Sequence, residues 1–268
     1  MPFRSLTSTT VATRASTAVT VPAGVVDGDI LIAMFMAQRV AASTTLTPPA
    51  GWTVIDSSRV KDAAGSTCDS AIYWKRAAGE SGSYTFTNTS ASTQLVVMAY
   101  SGEIASGSPI ATSSKNFTTD PTSFGATASA FAVTTTVNNE DLVYLAHTWV
   151  NGALTPPTGF TERFDGFLYA ADQVFATAGS AGPFFQNTNN TAAQPWTTFV
   201  IALTPAGAGA GVVVGRRGIP VVSVVVGGVA VTEVAAGKDG LPITESLNGT
   251  GLAVRKVSAG GMPVIYVT

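Results

Sequence analysis

Two stretches of this chain, 112 residues apart, begin with an aspartate and continue as an almost unbroken apolar run: DILIAMFMAQ from Asp29 and DLVYLAHTWV from Asp141. Such runs, bounded by turn residues and without helical periodicity, fit strands buried on both faces. Each run heads an ordered series of matching motifs, so the N-terminal part of the chain reads as a duplication.

The first copy runs VPAGVVDGDILIAMFMA, TPPAGWTVID, SAIYWKRA, SYTFTN and QLVVMAYSG, and the second runs VNNEDLVYLAHTWV, TPPTGFTERF, YAADQVFA, PFFQNT and WTTFVIALTP. Anchor pairs are Gly28-Asp29 with Glu140-Asp141, Thr47-Pro48-Pro49 with Thr155-Pro156-Pro157, Gly51-Trp52 with Gly159-Phe160, and Val97-Met98-Ala99 with Val200-Ile201-Ala202. The offset falls from 112 to 108 to 103, as expected if the second copy has shorter loops. The halves span about 1–104 and 124–205.

Within each copy, short β-prone segments alternate with turn clusters. In Tyr84-Thr85-Phe86-Thr87 the aromatics share one face and the threonines the other. SAS, GESGS, PPAG and NTNNT punctuate the strands, and Asp165-Gly166 is a hairpin signal. The expected class is all-β, a duplicated β-sandwich or jelly-roll-like region over residues 1–206. Composition agrees: Thr, Val and Ser abound, and only 11% of residues are charged against about 25% in an average domain. A net charge of -2 excludes the basic footprint of a nucleic-acid binder and gives no attraction to an anionic membrane.

The opening MPFRSLTSTT is polar, so no signal peptide is expected. The longest aliphatic runs, from Ile30 to Ala37 and from Val221 to Val231, fall far short of the roughly 20 residues of a spanning helix. Cys68 is the sole cysteine and cannot form an internal disulfide.

Composition shifts after Pro205. A Gly/Ala-rich linker, residues 207–217, leads to a segment over 218–268, and together they hold 13 of the 27 glycines and one aromatic residue, Tyr266. Five short repeats open at Gly218, Gly228, Gly240, Gly251 and Gly261, spaced by 10, 12, 11 and 10 residues. The first and third residues after each glycine are apolar: Ile219 and Val221, Val229 and Val231, Leu241 and Ile243, Leu252 and Val254, Met262 and Val264. The sixth is apolar in four repeats and would fall on the opposite face of a continuous strand, so a bend or bulge is expected near positions four and five. Proline at position two of alternate repeats favours an edge. A ribbon of about 60 residues with one aromatic buries too little surface to stand alone and needs neighbouring chains. These ten aliphatic residues are the expected oligomerisation surface of a homo-oligomer, with a trimeric β-prism stalk as the expected form.

VPAGVVDGDILIA, TPPAGWTVID and AIYWKRA resemble a β-rich module of bacteriophage and prophage structural proteins. The GIPV, GLPI and GMPV repeats resemble those ending some phage head and tail appendage proteins. The resemblance implies a particle-surface location, partners among capsid, portal or tail components, and a structural, non-enzymatic role as a surface decoration or fibre subunit.

Candidate chemistry is sparse, and no catalytic residue, cofactor or metal site is expected. His147 lies in an apolar strand and reads as a core histidine; no second His or Cys exists to complete a zinc site. No GxSxG nucleophile elbow is present. Asp27, Asp29, Asn138, Glu140 and Asp141 mark one strand entrance twice and could hold calcium, but turn chemistry explains them better. Arg216-Arg217 and Arg255-Lys256 are too sparse for a nucleic-acid patch, and GVVVGRRG precedes no helix that could seat a phosphate. Trp52, Trp74, Trp149 and Trp196 offer the alternative of an adhesin that stacks on a bacterial surface glycan; the match of Trp52 with Phe160 favours the core instead. Low carboxylate density in the loops argues against a glycosidase.

Overall fold

Both apolar runs form strands with no solvent-facing side: every residue from Ile30 to Gln38 and from Glu140 to Thr148 is buried. The structure, a computed structural model, describes residues 3–40, 44–61, 65–118, 127–148, 154–187 and 195–207, and five strands beyond them. Copy one supplies β1 (Phe3–Thr20), β2 (Ile30–Val40), β3 (Thr53–Lys61), β4 (Thr67–Arg76) and β5 (Ser83–Tyr100). Copy two supplies β6 (Ile110–Phe117), β7 (Thr127–Ala130), β8 (Val133–Thr135), β9 (Glu140–Thr148) and β10 (Thr161–Asp165). It continues with β11 (Leu168–Phe175), β12 (Gly179–Ala181), β13 (Phe184–Asn187) and β14 (Trp196–Leu203). There is no helix among the described residues, and the protein is all-β.

The duplication appears in the topology. One antiparallel sheet runs β1-β5-β2-β4-β3 and the other β6-β14-β9-β11-β10, the same order of equivalent strands. Both copies carry a bulge at one place, between Val54 and Asp56 in β3 and between Glu162 and Phe164 in β10. Gly51 and Gly159, each before the matched aromatic, take φ of +87° and +90°, a conformation that glycine adopts without strain. The second copy opens at β6, ahead of residue 124. β6 pairs with β14 as the first half of β1 pairs with the second half of β5.

The ladders also correct the alignment at the strand entrance. Ile30 pairs with Tyr100, and Asp141 with Leu203, so Ile30 and Asp141 are the equivalent residues and Asp29 matches Glu140. The offset there is 111, one less than matching the aspartates implies. Backbone conformation agrees, since the preceding Gly28 and Asn139 both have positive φ. A one-residue slip exchanges the two faces of a strand, so this correction decides which side chains meet.

Three cores follow from period-two alternation. Ile30, Ile32, Met34 and Met36 of β2 face Val143 and Leu145 of β9 and Phe199 and Ile201 of β14 in a core shared by both sheets. Leu31, Ala33 and Phe35 point the other way, under Trp52, Tyr84 and Phe86. In copy two, Leu142, Tyr144 and Ala146 lie under Phe160 and Phe184. The outer covers are the far ends of the β1–β5 ribbon, which shifts register between Val11 and Ser16, and the separate pairs β7–β13 and β8–β12. Register shifts of this kind bend a two-stranded ribbon. The copies are therefore two self-covered halves joined face to face by a third core.

The chain divides into two compact units, Met1–Ala208 and Gly209–Thr268. In the second unit, β15 (Val212–Val214), β16 (Pro220–Val226) and β17 (Val229–Val234) form one antiparallel sheet, and β18 (Val254–Ala259) and β19 (Met262–Val267) another.

Candidate functional site

The repeat segment presents short strands whose outer edges have no partner among the described residues. β15 and β17 are the outer strands of a three-stranded sheet, and β18 and β19 pair with each other alone among the described strands. Of the expected oligomerisation residues, Val221 lies in β16, Val229 and Val231 in β17, Val254 in β18, and Met262 and Val264 in β19. Ile219, Leu241, Ile243 and Leu252 lie outside the described residues. The β16–β17 register shifts between Val222 and Val224, opposite Thr232 and Glu233, positions four and five of the Gly228 repeat. In β18–β19 the register runs unshifted from Val254–Val267 to Ala259–Met262.

In the first unit Asp27, Asp29, Asn138 and Glu140, four of the five candidate calcium ligands, serve turns, whereas Asp141 lines the cavity where the halves meet. Asp29 Oδ2 accepts from the amide of Val26 at 3.0 Å, and Glu140 Oε1 from that of Val137 at 3.3 Å, the same three-residue reach in both copies. Asp27 Oδ1 accepts from the amide of Gly79 and Asn138 Oδ1 from that of Ala178. Arg4 also pairs with Asp29, donating from Nη2 at 3.0 Å. Trp52 and Phe160 plug their cores: Trp52 meets Tyr84 edge-on at 5.2 Å, and Phe160 meets Phe184 at 5.0 Å. Trp196 is buried and Trp74 packs against the shared core; Trp149 lies outside the described residues.

Two concavities were not legible in the sequence. The first, of about 230 Å³, lies where the halves meet and is lined by Phe3, Tyr100, Asp141, Arg163 and Asp172, among others. Arg163 grips Asp172 in a fork, Nε to both oxygens at 3.0 Å and Nη2 to Oδ1 at 2.8 Å, with its guanidinium 4.4 Å from the Phe3 ring centre. The Tyr100 hydroxyl donates to Asp172 Oδ2 at 3.2 Å. Burial, then the charge of Asp172, pushes the Tyr100 phenol far up, while the bond to Asp172 raises Arg163. Burial also raises Asp141. Beside it, burial first and the Asp141 charge second push Glu103 up to about 9, so Glu103 keeps its proton at neutral pH.

The duplication supplies an internal control for this cluster. Asp172 pairs with Val143 and Thr161 as Trp74 pairs with Ile32 and Thr53, and Arg163 and Ile55 are the two bulge residues. Copy one thus holds Ile30, Ile55 and Trp74 where copy two holds Asp141, Arg163 and Asp172, and the copy-one trio packs within or against the shared core. At about 230 Å³ this cavity is smaller than the ~300–1,000 Å³ of ordinary ligand sites.

The second concavity, of about 560 Å³, belongs to copy one. Its lining includes Leu46, Trp52, Tyr73, Arg59 and Asp69. Arg59 Nε donates to Asp69 Oδ1, the amide of Thr44 donates to Asp69 Oδ2 at 2.8 Å, and the Tyr73 hydroxyl donates to the Leu46 carbonyl at 2.7 Å.

Comparison with protein-family models, curated proteins and solved structures found no match to this chain.

Proposed function

We propose that this protein is a non-enzymatic structural subunit of a bacteriophage particle, a surface decoration or fibre protein of the head or tail. It assembles as a homo-oligomer, a trimer, through its C-terminal β-repeats, and the sandwich unit is carried at the particle surface. The observation that carries the reading is the pair of small sheets, β15–β17 and β18–β19, whose outer strands have no further partner among the described residues. A two-stranded hairpin is at best marginally stable in water, and an unpaired edge is a template for another chain. Strand addition at such edges supplies backbone hydrogen bonds without charged side chains, which suits a chain with so few of them. The repeats' resemblance to those of phage appendage proteins supports the particle location.

The test is the solution mass of the full chain and of residues 1–206 by light scattering. The truncated form keeps all three of its cores, so it remains folded. The full chain should weigh as three copies and the truncated form as one. Two monomers would remove the assembly role from the repeats.

A further inference from the structure

The outer cover of copy two shows rings to solvent. The pairs β7–β13 and β8–β12 continue one register, with Phe184 opposite Ala130 and Ala181 opposite Val133. Phe131 therefore falls opposite Pro183 and diagonal to Phe185, which pairs with Ser129. Diagonal neighbours of this kind lie roughly 7–8 Å apart, close enough to meet one ligand. Phe131 is 58% and Phe185 59% exposed, and Pro183 is exposed beside them. The core beneath is closed by Ala130, Val133, Ala181 and Phe184 instead.

Copy one builds the same face without rings. Tyr84 pairs with Val19 as Phe184 pairs with Ala130, and each aromatic meets its plug, Trp52 or Phe160. Thr20, Ser83 and Thr85 of copy one, all exposed, thus stand where copy two has Phe131, Pro183 and Phe185. Hydroxyl residues serve the fold at all three places. A single exposed apolar side chain is ordinary, whereas rings gathered on one face mark a contact surface. The backbone under them is tied down: the Ser129 carbonyl accepts from Thr198 Oγ1 at 2.8 Å and Asn116 Nδ2 at 3.1 Å, and the Phe131 carbonyl from Ser114 Oγ at 2.9 Å.

Charge and area select among occupants. No Asp, Glu, Lys or Arg occurs in residues 121–139 or 173–215, which supply both strands of the cover, so the face favours neither anions nor cations. The two phenylalanines leave roughly 200–300 Å² open, taking ~150–250 Å² for each whole side chain. A stable protein interface buries about 800 Å² per partner, so the patch is too small to hold a second copy and matches one or two sugar rings. A pyranose face presents weakly positive C–H groups to the negative face of an aromatic ring. Its edge hydroxyls both donate and accept, as do those of Thr134 and Ser180, which are exposed on the adjoining pair.

We infer that the outer face of β7 and β13 binds a neutral saccharide, with Phe131 and Phe185 stacking on one or two consecutive rings. The inference goes beyond the assembly role and does not rest on it: the patch lies wholly in the first unit, so sugar binding and the mass of the truncated form succeed or fail separately.

The test titrates the full chain with maltotriose, cellotriose, mannotriose and triacetylchitotriose by calorimetry and saturation-transfer NMR, with trigalacturonate as a charged control. At least one neutral trisaccharide should saturate, with transfer strongest to the C–H protons of one ring face, and trigalacturonate should not. Two variants locate the site. Phe131→Thr with Phe185→Thr installs the copy-one residues at two exposed positions, so it should weaken binding about tenfold or more with the melting curve unchanged. Phe185→Trp keeps a ring there and should hold the affinity within about threefold of the parent. No saturation by any neutral sugar, binding of the charged sugar alone, or parental affinity in the double variant would each overturn the inference. A fall in the solution mass of the double variant would also overturn it, by assigning the patch to a second copy.

Discussion

Cys68 and His147, the only cysteine and the only histidine of the chain, meet inside the shared core with Sγ 3.1 Å from Nε2. One comes from β4 of copy one and the other from β9 of copy two, so the contact ties the two sheets together. Burial pushes the thiol well up and lowers the imidazole to about 3. Both are therefore neutral near pH 7, a hydrogen-bonded pair rather than the thiolate–imidazolium of a nucleophilic site.

The pair should make acid destabilising in a defined window. Unfolded, His147 titrates near its ordinary 6.5; folded, it resists protonation until about 3. Between those values the unfolded state binds the extra proton, so this contribution is whole above about 6.5 and is lost as pH falls toward 3. His147→Gln lacks the effect. Its deficit against the parent in urea midpoint should shrink steadily from pH 7 to pH 4, and a constant deficit would show that the histidine titrates normally in the core. Cys68 should stay unreactive to a thiol reagent at pH 8 until urea unfolds the chain.

Glu103 should act with the opposite sign. Its folded value of about 9 lies above the ordinary 4.5, so the folded state holds a proton that the unfolded state releases. The stability this gives is complete below about pH 4.5 and declines as pH rises toward 9. Glu103→Gln mimics the protonated carboxyl. It should melt above the parent at pH 8 and match it at pH 4.5; equal melting at both would place an ionised carboxylate in that position.

Replacement of Trp52 should follow what the duplication already tolerates. Trp52→Phe should cost under about 1.5 kcal/mol, since Phe160 fills the equivalent place against Phe184. Trp52→Ala opens a cavity beneath Tyr84 and Phe86 and should cost about 3–5 kcal/mol in denaturant unfolding.

The charged cluster can be exchanged for its apolar counterpart. Asp141→Ile, Arg163→Ile and Asp172→Trp together rebuild in copy two the Ile30, Ile55 and Trp74 arrangement of copy one. Replacing a buried ionic cluster by well-packed apolar residues is often neutral or stabilising by about 1–4 kcal/mol, and the triple variant should melt at or above the parent. Arg163→Ile alone leaves the Asp172 charge buried without its cation, with only the Tyr100 hydroxyl bonded to it, and should melt well below the parent.

How much of this was legible in the sequence depended on whether an interaction is local. β2 and β9 declared themselves because burial on both faces leaves no polar positions. The alternation of Tyr84 and Phe86 survives in Phe184 and Gln186, buried on either side of the exposed Phe185. The strand entrance was misaligned by one residue because both Asp29 and Asp141 precede apolar runs, and only the ladder distinguishes the turn-capping Asp29 from the core-facing Asp141. β1 carried no clear signal: an edge strand rich in Ser and Thr and mostly exposed needs no apolar alternation. The cluster of Phe3, Tyr100, Asp141, Arg163 and Asp172 is assembled from five strands, and no spacing along the chain encodes it. The copy-one concavity was foreshadowed only as extra length in copy one, where the falling offsets recorded four ladder pairs, Ser58–Ser70 to Lys61–Thr67, beyond the last equivalent pair of copy two.

The face-to-face core has a consequence for what the chain could be cut down to. A polypeptide holding one copy would leave Ile32, Met34, Val96 and Met98 bare to water and could persist only by docking a second molecule onto that face. Joining both copies in a single chain makes the docking intramolecular and guarantees one of each. It also releases the partners from having to be identical: one could lengthen a hairpin and the other take on buried charges, changes that in a true pair of identical subunits would have had to be accepted twice.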